Sequence, residues 1–428
     1  MRVLEAKLLN GTAQQYQALD EAIRTAQFVR NKCLRHWMDH QGVNRATLYS
    51  LCKDLAQEFP FAQKLNSSAR QASAERAWSA ISNFYRRCQN QAAQKGYPQF
   101  QKHCRSVEYK VSGWKLSQDG MFLTFTDGFH AGTFALYCNG EARRDILTLK
   151  INRVRVIRRA DGYYAQFCLD VDRREQVEYT GQAVGLDVGL THFYTDSHGN
   201  KVECPQFLRR AERRLKREQR RLSRKLRTPS RLRERRGAKP QSKNYHKQRK
   251  RLGKVHLKVQ RQRRDWVIKL ARCVVASHDV VAYEDLQVRN LVRNHHLAKS
   301  IHDAGWSLFT GWLDYYGKVF NKVVVAVPPQ YTSQDCSHCG HRVKKTLSTR
   351  THRCPRCGVV IDRDENAAIN ILRKGLELLG GEWNNGTFGQ KGTAPKGGTP
   401  GEMSTAVVEG QPNTVSAVAE PGTRIPCL

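Results

Sequence analysis

Two pairs of cysteines with CxxC spacing constrain this chain more than any other feature of its sequence. The pairs are Cys336 with Cys339 and Cys354 with Cys357, and fourteen residues separate them. Four thiolates on two tight turns suit the tetrahedral coordination of a structural Zn²⁺. A glycine follows each pair, where a knuckle turn needs positive φ. The pattern therefore predicts a zinc ribbon, in preference to four unrelated buried cysteines or a pair of disulfides.

Charge is the second strong signal. The 428 residues include 73 basic and 38 acidic side chains, which gives a formal net charge of +35. A protein this basic is expected to bind a polyanion, and nucleic acid is the favoured class. Binding to a membrane surface is the rival, and it is disfavoured because the basic stretches are almost pure Arg, Lys and Gln, without aromatic apolar faces. No transmembrane helix is expected, because no run of about 18 apolar residues is present. The first residues are too polar for a secretory signal, and single scattered cysteines suit a reducing cytoplasm.

Most of the positive charge lies between residues 209 and 264, which hold 26 Lys or Arg and three Glu, a net charge of +23. The composition predicts two basic helices with a break at 228–242. A merely solvated charged face is disfavoured, because so few acids offset the charge. Phosphate contacts are therefore expected from the residues Arg213, Arg217, Arg220, Arg224, Lys250 and Arg251.

The first 175 residues show two different periodicities. Residues 1–9 alternate as a strand, and helical spacing then runs from residue 12 and again over 67–93. Arg70 and Arg76 lie beside the second helical face, either as solvated surface or as part of a nucleic-acid groove. Beyond residue 97 the period falls to two, with strands expected near 107–112, 121–126, 133–138, 146–157 and 163–171. A hairpin at Asp161-Gly162 and pairing with the N-terminal strand suggest a small β-barrel.

Three acids stand out because each lies on or beside an apolar element. Asp187 is in the middle of an apolar strand over 183–195, with Val184, Leu186 and Val188 expected on the opposite face. Glu284 ends a short buried strand. Asp364 begins a helix that follows the second cysteine pair. The structural alternatives are an edge-strand acid, a buried structural Glu and a helix N-cap.

If the strands form one mixed sheet, the three carboxylates converge and repel one another unless cations lie between them. Oxygen ligands without histidines favour Mg²⁺ or Mn²⁺. Two such ions about 4 Å apart would activate water and stabilise a leaving 3′ oxygen. A site of this kind beside the basic helices predicts metal-dependent cleavage of DNA or RNA. His192 and His302 are available to adjust its acid–base properties, but a single histidine is more typical of a structural role. An aromatic helix over 301–317 and a strand over 322–329 are expected to complete the domain.

The strings GLDVGL, AYEDL, CSHCG…CPRCG and DRDENAAINIL, in this order, resemble the TnpB family. These are OrfB-type proteins of bacterial insertion sequences, related to the compact type V CRISPR effectors. Weaker matches are RNKCLRHW, GYPQF and QYTSQDCSHCG. The resemblance covers residues 1–373 and is most specific in the C-terminal half.

The resemblance implies an RNA-guided DNA endonuclease with a RuvC site of RNase H-like fold. Asp187, Glu284 and Asp364 match the three acids of that site, with Asp362 as the alternative third acid. The implied fold class is multidomain α/β plus all-β. Beyond residue 375 the composition, rich in Gly, Thr, Pro, Asn and Ser with few large apolar residues, predicts a disordered tail. The implied domains are a wedge β-barrel (1–10 and 97–178), a helical recognition domain (11–96), a nuclease domain (179–330 and 360–374, with basic helices 208–275), a zinc ribbon (331–359) and the tail (375–428).

The implied partners are a guide RNA and double-stranded target DNA beside a short flanking motif, in the bacterial cytoplasm at the nucleoid. One chain per RNA is expected, and a dimer stays open. The alternatives are a repressor of the same lineage that no longer cuts, a CRISPR-associated nuclease of the same build, and a structural zinc-ribbon DNA-binding protein. The repressor is disfavoured because all three acids are present, and the structural protein leaves Asp187 and Glu284 unexplained.

Overall fold

The computed structural model of the chain describes residues 2–92, 94–226, 241–346, 349–384 and 387–390. The chain divides into two units. One comprises Met1–Arg173 with Arg249–Lys254, and the other Arg174–Gln248 with Val255–Leu428. The boundary therefore lies at residue 173, a few residues before the predicted end of the wedge domain at 178.

The first unit contains five helices and seven strands among its described residues. The helices are α1 (Ala13–Asp39), α2 (Arg45–Glu58), α3 (Pro60–Gln63), α4 (Ser67–Gln89) and α5 (Gly140–Thr148). The strands are β1 (Arg2–Leu9), β2 (Ser106–Tyr109), β3 (Trp114–Leu116), β4 (Phe122–Phe125), β5 (Gly132–Tyr137), β6 (Ile151–Arg159) and β7 (Gly162–Leu169).

The seven strands form one antiparallel sheet in the order β2-β6-β7-β1-β5-β4-β3. The N-terminal strand pairs with β7 and β5, as predicted. The β6–β7 hairpin turns at the predicted place, with Arg159 opposite Gly162. In the described ladder β2 and β3 are the two edges, so the sheet is open and closure into a barrel stays a prediction. Helices α1 and α4 pack against β2, which covers that edge.

Besides the short helix α3, two helices of this unit were not predicted. Helix α2 follows Asn44, whose side chain accepts a hydrogen bond from the Thr47 amide at 3.0 Å. Helix α5 occupies residues 140–148, where the strand predicted over 146–157 was to begin. It starts at Asn139, whose side chain caps the Ala142 amide at 3.0 Å. In both cases an Asn cap satisfies a free amide and initiates a helix that apolar periodicity alone does not reveal.

The second unit contains the remaining elements. The strands are β8 (Ala183–Val188), β9 (His192–Asp196), β10 (Lys201–Glu203), β11 (Val280–Glu284), β12 (Val323–Val327), β13 (Thr351–Arg353), β14 (Val360–Asp362), β15 (Gly381–Asn384) and β16 (Thr387–Gln390). The helices are α6 (Phe207–Ser223), α7 (Lys243–Ser277, which also passes through the first unit), α8 (Val288–Leu291), α9 (His295–Ala304), α10 (Trp306–Phe320) and α11 (Arg363–Leu378).

A five-stranded mixed sheet forms the centre of this unit, in the order β10-β9-β8-β11-β12. Strands β8, β11 and β12 are parallel, whereas β9 and β10 are antiparallel to their neighbours. The predicted strand over 183–195 is in fact the β8–β9 hairpin, because the chain reverses at residues 189–191. Strand β8 is central, which excludes the edge-strand explanation of Asp187.

Each face of the sheet is covered by helices. Val184, Leu186 and Val188 of β8 pack with residues of α7, α9 and α10 in one core, and each such side chain contributes about 1.5–3 kcal/mol when fully buried. The opposite face receives α11 through Ile371, which packs with Ala282 and Val327. The aromatic helix predicted over 301–317 is two helices, because Gly305 adopts φ +74° between α9 and α10.

The C-terminal boundary needs a correction. A disordered tail was predicted from residue 375, but α11 continues to Leu378 and β15 pairs with β16. Gly375 fits closely against the sheet, where an added Cβ would lie 2.7 Å from the Ala282 Cβ. The sequence beyond residue 375 has few apolar residues, so its composition did not predict this packing. Residues 391–428 of the predicted tail and residues 228–240 of the predicted break lie outside the described residues. No described helix is long and apolar enough to cross a membrane.

Candidate active site and cysteine cluster

Asp187 and Glu284 lie on neighbouring parallel strands and on the same face of the mixed sheet. The register pairs Gly185 with Ala282 and Leu186 with Tyr283. Asp187 and Glu284 follow one residue beyond the last pair, so they are laterally adjacent. Because side chains alternate along a strand, both point away from the core that holds Leu186 and Tyr283. This is the orientation predicted for Asp187.

Helix α11 carries the third acid onto this face. It passes so close to β8 that a Cβ added to Gly185 would lie 2.1 Å from the Ala368 carbonyl oxygen and 2.7 Å from the Leu372 amide nitrogen. Only glycine permits this approach of helix backbone to strand backbone. The first turn of α11, with Asp364, therefore lies beside the end of β8 that carries Asp187.

The two candidate third acids have different surroundings. Asp362 is the N-cap of α11 and accepts hydrogen bonds from the amides of Asp364 and Glu365 at 2.8 and 3.3 Å. It also accepts one from Lys201 Nζ at 2.7 Å. Burial opposes its charge, but these donors outweigh burial and hold the pKa of Asp362 below its usual value. Asp364 accepts hydrogen bonds from Arg363 Nε and Nη2 at 2.9 and 2.7 Å.

Electrostatics connect the three acids. Burial raises the pKa of Asp187 well above its usual value, the charges of Glu284 and Asp364 raise it further, and Arg363 opposes them. Burial also raises the pKa of Glu284, against a hydrogen bond from Thr332 and the charge of Lys374. Glu284 and Asp364 thus both raise the pKa of Asp187, although the three carboxylates do not form a cluster as tight as the cysteines. A buried acid whose pKa is raised by neighbouring acids is typical of functional positions.

The four cysteines form a compact tetrad. Their Sγ atoms all lie within 4.8 Å of one another, with Cys336 to Cys357 at 3.6 Å and Cys339 to Cys354 at 3.5 Å. Four sulfurs at 2.3 Å from a tetrahedral zinc would be about 3.8 Å apart, so the tetrad fits that ion. Gly340 and Gly358 have φ of +73° and +74°, which confirms the prediction of knuckle turns.

Replacing one of these cysteines tests the cluster. We expect Cys354→Ser to reduce bound zinc from about one ion per chain, because the tetrahedral site loses one of its four thiolates. Folding free energy supplied by the metal is lost with it, so the thermal unfolding midpoint should fall. Elemental analysis and thermal unfolding of the purified chain measure both effects. Cys88→Ser, at a half-buried cysteine outside the tetrad, is the matched control. Unchanged zinc content in Cys354→Ser would contradict the assignment.

Two of the eight predicted nucleic-acid contacts have internal roles. Arg70 donates through Nη1 to the carbonyl of Leu65 at 2.6 Å and to two further carbonyls at the end of α3. Arg76 donates to the carbonyl and hydroxyl of Ser106 at 3.3 and 3.1 Å. Both guanidinium groups therefore hold the fold of the first unit, which favours the structural alternative for them.

The other six predicted contacts are exposed: Arg213, Arg217, Arg220, Arg224, Lys250 and Arg251. The acids among them are turned inward. Glu218 is 7% exposed, and it accepts from Gln248 Nε2 at 2.6 Å, which joins α6 to α7. Glu212 binds Lys216 and Lys299 at 2.8 and 2.5 Å. The outer faces of these helices are consequently basic.

Sequence reasoning missed several residues around the acids. Thr332 donates to Glu284, and Asn366 and Asn370 hold the chain that leads into the first cysteine pair. Thr332 lies in the QYTSQDCSHCG string that carried part of the family resemblance. Nothing in one sequence assigns a role to a threonine whose partner lies 48 residues away. His192 is 3.7 Å from Glu203, at the solvent side of the hairpin.

Comparison with known families gives two adjacent matches. The model of OrfB_IS605, described as a probable transposase, matches residues 166–295. The model of the Cas12f1-like TNB domain matches residues 306–371. The first range contains Asp187 and Glu284, and the second contains the cysteine tetrad and Asp364.

Curated relatives agree with these models. The chain is 37% identical over 199 residues to a Streptomyces pristinaespiralis protein named "Putative RNA-guided DNA endonuclease", which covers 46% of each chain. It is 27% identical over 320 residues to "Putative RNA-guided DNA endonuclease InsQ" of Escherichia coli K12, which covers 70% of this chain and 72% of that protein. It is 28% identical to "TnpB-like protein L79" of Acanthamoeba polyphaga mimivirus, over 50% of this chain and 41% of that protein. The chain thus spans less than half of two of these three relatives.

A solved structure is also similar. The match to a chain in the cryo-EM structure of the Cas12f1-sgRNA-target DNA complex has a TM-score of 0.49 at 14% identity. It covers 84% of this chain and 81% of that chain.

Proposed function

We propose that the chain is a member of the TnpB family and an RNA-guided DNA endonuclease with Asp187, Glu284 and Asp364 as its catalytic acids. The observation that carries the proposal is that Asp187 and Glu284 lie side by side on one face of the mixed sheet, and that α11, which carries Asp364, packs against the same face of β8. Placing like charges close together lowers the stability of the folded state, and proteins retain such arrangements mainly at functional sites. The names of the relatives support the reaction class.

The donor set suits divalent cations. The carboxylates offer hard oxygen ligands, and burial and repulsion leave Asp187 with a raised pKa that a cation would reverse. Mg²⁺, or Mn²⁺ in its place, is the ion that such ligands prefer in nucleases. When bound, the ions activate the attacking water and stabilise the leaving 3′ oxygen of the phosphodiester.

The residues of this chain provide a fixed frame for that chemistry. Asp187 and Glu284 come from adjacent hydrogen-bonded strands, so their separation is set by the sheet. Asp364 comes from a helix whose height above β8 is set by Gly185. Such fixed placement of charged groups accounts for much of the rate of enzymatic phosphodiester cleavage, because the protein mainly orients the reacting groups and stabilises the charge of the transition state.

Asp364 is favoured over Asp362 as the third acid. Asp362 caps two amides of α11 and pairs with Lys201, which gives it a structural role. Asp364 instead raises the pKa of Asp187 more than Asp362 does. The Arg363 guanidinium that now holds Asp364 would have to release it when a cation binds.

The nucleic-acid partners are proposed from charge. The outer faces of α6 and α7 present exposed arginines and lysines, and they suit the phosphate backbone of a guide RNA and its target DNA. Binding of this kind releases counterions, so affinity should fall steeply as salt rises. In RNA-guided systems base pairing reads the target sequence, whereas the protein reads a short flanking motif.

Co-purification tests the proposal. The full chain, expressed with the DNA that flanks its gene, should carry a discrete RNA that sequencing identifies. Reprogramming that RNA should direct Mg²⁺-dependent cleavage to a matching plasmid, and EDTA should abolish it. A plasmid with a mismatched target is the control. Cleavage that ignores the guide, or a protein that binds no specific RNA, would overturn the proposal.

A further inference from the structure

The segment that leads into the first cysteine pair, residues 330–336, touches the candidate active site directly. We call it the approach loop. Thr332 is 4% exposed, and its hydroxyl lies 2.5 Å from Glu284 Oε1. The same hydroxyl lies 3.3 Å from the Pro329 carbonyl oxygen. A hydroxyl donates one proton, and the short distance to a charged acceptor assigns it to Glu284.

The backbone of the approach loop is fixed by helix α11. Asn370 Nδ2 donates to the carbonyls of Thr332 at 2.9 Å and Asp335 at 2.7 Å. Asn366, one helical turn earlier, donates to the Asp335 carbonyl at 2.8 Å and accepts from the Ser337 amide at 2.9 Å. Both asparagines are buried, at 0% and 4% exposed. Buried amides with this many partners hold a loop in one conformation.

The approach loop is therefore held at its last residue and in its middle. Its last residue, Cys336, belongs to the cysteine tetrad, and its middle is held by the helix that carries Asp364. Glu284 at the end of β11 receives its hydrogen bond from a loop that is not part of the sheet. The conformation of that carboxylate thus depends on a segment whose position the tetrad and α11 determine together.

We propose that Thr332 is a positioning residue that orients the Glu284 carboxylate for catalysis, and that the cysteine tetrad acts on the active site through it. The proposal rests on the proposed function, because Glu284 must be a catalytic acid for its orientation to matter. It assigns a task to the QYTSQDCSHCG string that zinc binding leaves unexplained. A purely structural threonine would instead only satisfy a buried acid, with equal effects on stability and on cleavage.

Cleavage kinetics form the first test. In the full protein–RNA complex, Thr332→Val removes the hydroxyl at nearly constant volume. Misplacing a catalytic group by about 1 Å can cost about 100-fold in rate, so we expect single-turnover cleavage to slow by that order. Thr332→Ser restores the donor and should cut close to the wild-type rate. Target affinity, measured with Ca²⁺ in place of Mg²⁺, should be the same in all three proteins. Thr148→Val, in helix α5 of the other unit, is the control and should cut normally.

Stability provides a second test that needs neither metal nor activity. Thr332→Val should lower the thermal unfolding midpoint of the RNA-free full chain, because Glu284 loses its donor. In a Glu284→Leu background the same substitution should leave the midpoint unchanged, since the acceptor is absent. An equal shift in both backgrounds would show that the hydroxyl does not act through Glu284 and would overturn the proposal.

The outcomes separate this proposal from the proposed function. If the wild-type complex cuts and Thr332→Val cuts equally fast, or Ser fails to restore the rate, the positioning role is wrong and the nuclease assignment stands. If the wild-type complex does not cut, the proposed function fails, and the stability comparison still tests the contact. If Thr332→Val does not fold, Asn370→Ala replaces it, because it frees the loop carbonyls and keeps the hydroxyl. Slower cleavage with unchanged target affinity is then expected, and a wild-type rate would overturn the proposal.

Discussion

Replacing Asp187 with Asn should abolish DNA cleavage and leave guide and target binding intact. Glu284 and Asp364 both raise the pKa of Asp187, so its loss would remove the centre of the proposed cation site. Metal ions contribute several kcal/mol of transition-state stabilisation, and each 1.36 kcal/mol is tenfold in rate, so the loss should be about 10³-fold or more. Plasmid cleavage measures the rate, and gel-shift titration in Ca²⁺ measures binding.

The same substitution should not destabilise the metal-free protein. The charge of Asp187 is opposed by burial and by the like charges of Glu284, Asp364 and Asp362, so a neutral Asn removes an unfavourable interaction. Its thermal unfolding midpoint in EDTA should equal or exceed that of the wild type, which is the usual relation between stability and activity at such sites. Glu284→Ala should also end cleavage. Residual cutting by either variant, or a lower midpoint for Asp187→Asn, would contradict the assignment.

Matched variants of the two acids at the start of α11 decide which one is catalytic. Asp364→Asn should end cleavage. Asp362→Asn should retain most of it, because Asn caps a helix as well as Asp does and only the pair with Lys201 is lost. Equal loss of cleavage in both variants would mean that the helix cap made by Asp362 is as necessary for cleavage as the carboxylate of Asp364.

The features predicted correctly from sequence are those with local signals. Paired cysteines with following glycines indicate knuckles, because spacing alone brings the thiols together. The orientation of Asp187 follows from strand alternation with Leu186 and Val188. The sequence did not establish that the strand of Asp187 lies at the centre of a mixed sheet, and the observed strand order shows that it does.

The features missed depend on contacts between distant segments. Thr332 and Glu284 are 48 residues apart, and no local pattern joins them. Arg70 looked like a nucleic-acid contact because a charged side chain on a helix face carries no sign of the carbonyls that receive it. Gly185 has no side chain within its strand, but the sequence does not show that the backbone of α11 packs against it. In each case the sequence shows the chemical type of the residue but not the residue that it contacts.

Gly185→Ala should destabilise the second unit and end cleavage, although Gly185 bears no chemical group. The added Cβ would lie 2.1 Å from the Ala368 carbonyl oxygen and 2.7 Å from the Leu372 amide nitrogen. Both are helix backbone atoms, which cannot rotate aside as a side chain would. Helix α11 must therefore move away from β8, and it takes Asp364 with it. Overpacking of a core costs about 1–3 kcal/mol, and more where nothing can yield, so we expect a loss of about 3 kcal/mol or more in the free energy of unfolding.

Gly311→Ala is the matched control, because it makes the same chemical change inside a helix with no atom within 4 Å of the new Cβ. There alanine should stabilise the chain by about 1 kcal/mol through its higher helix propensity. Urea unfolding of the two variants measures the difference, and the cleavage assay shows whether activity follows it. If Gly185→Ala unfolds at the wild-type urea concentration, α11 does not rest on β8 at this distance. The placement of Asp364 beside Asp187 would then lose the close contact between α11 and β8 on which it rests.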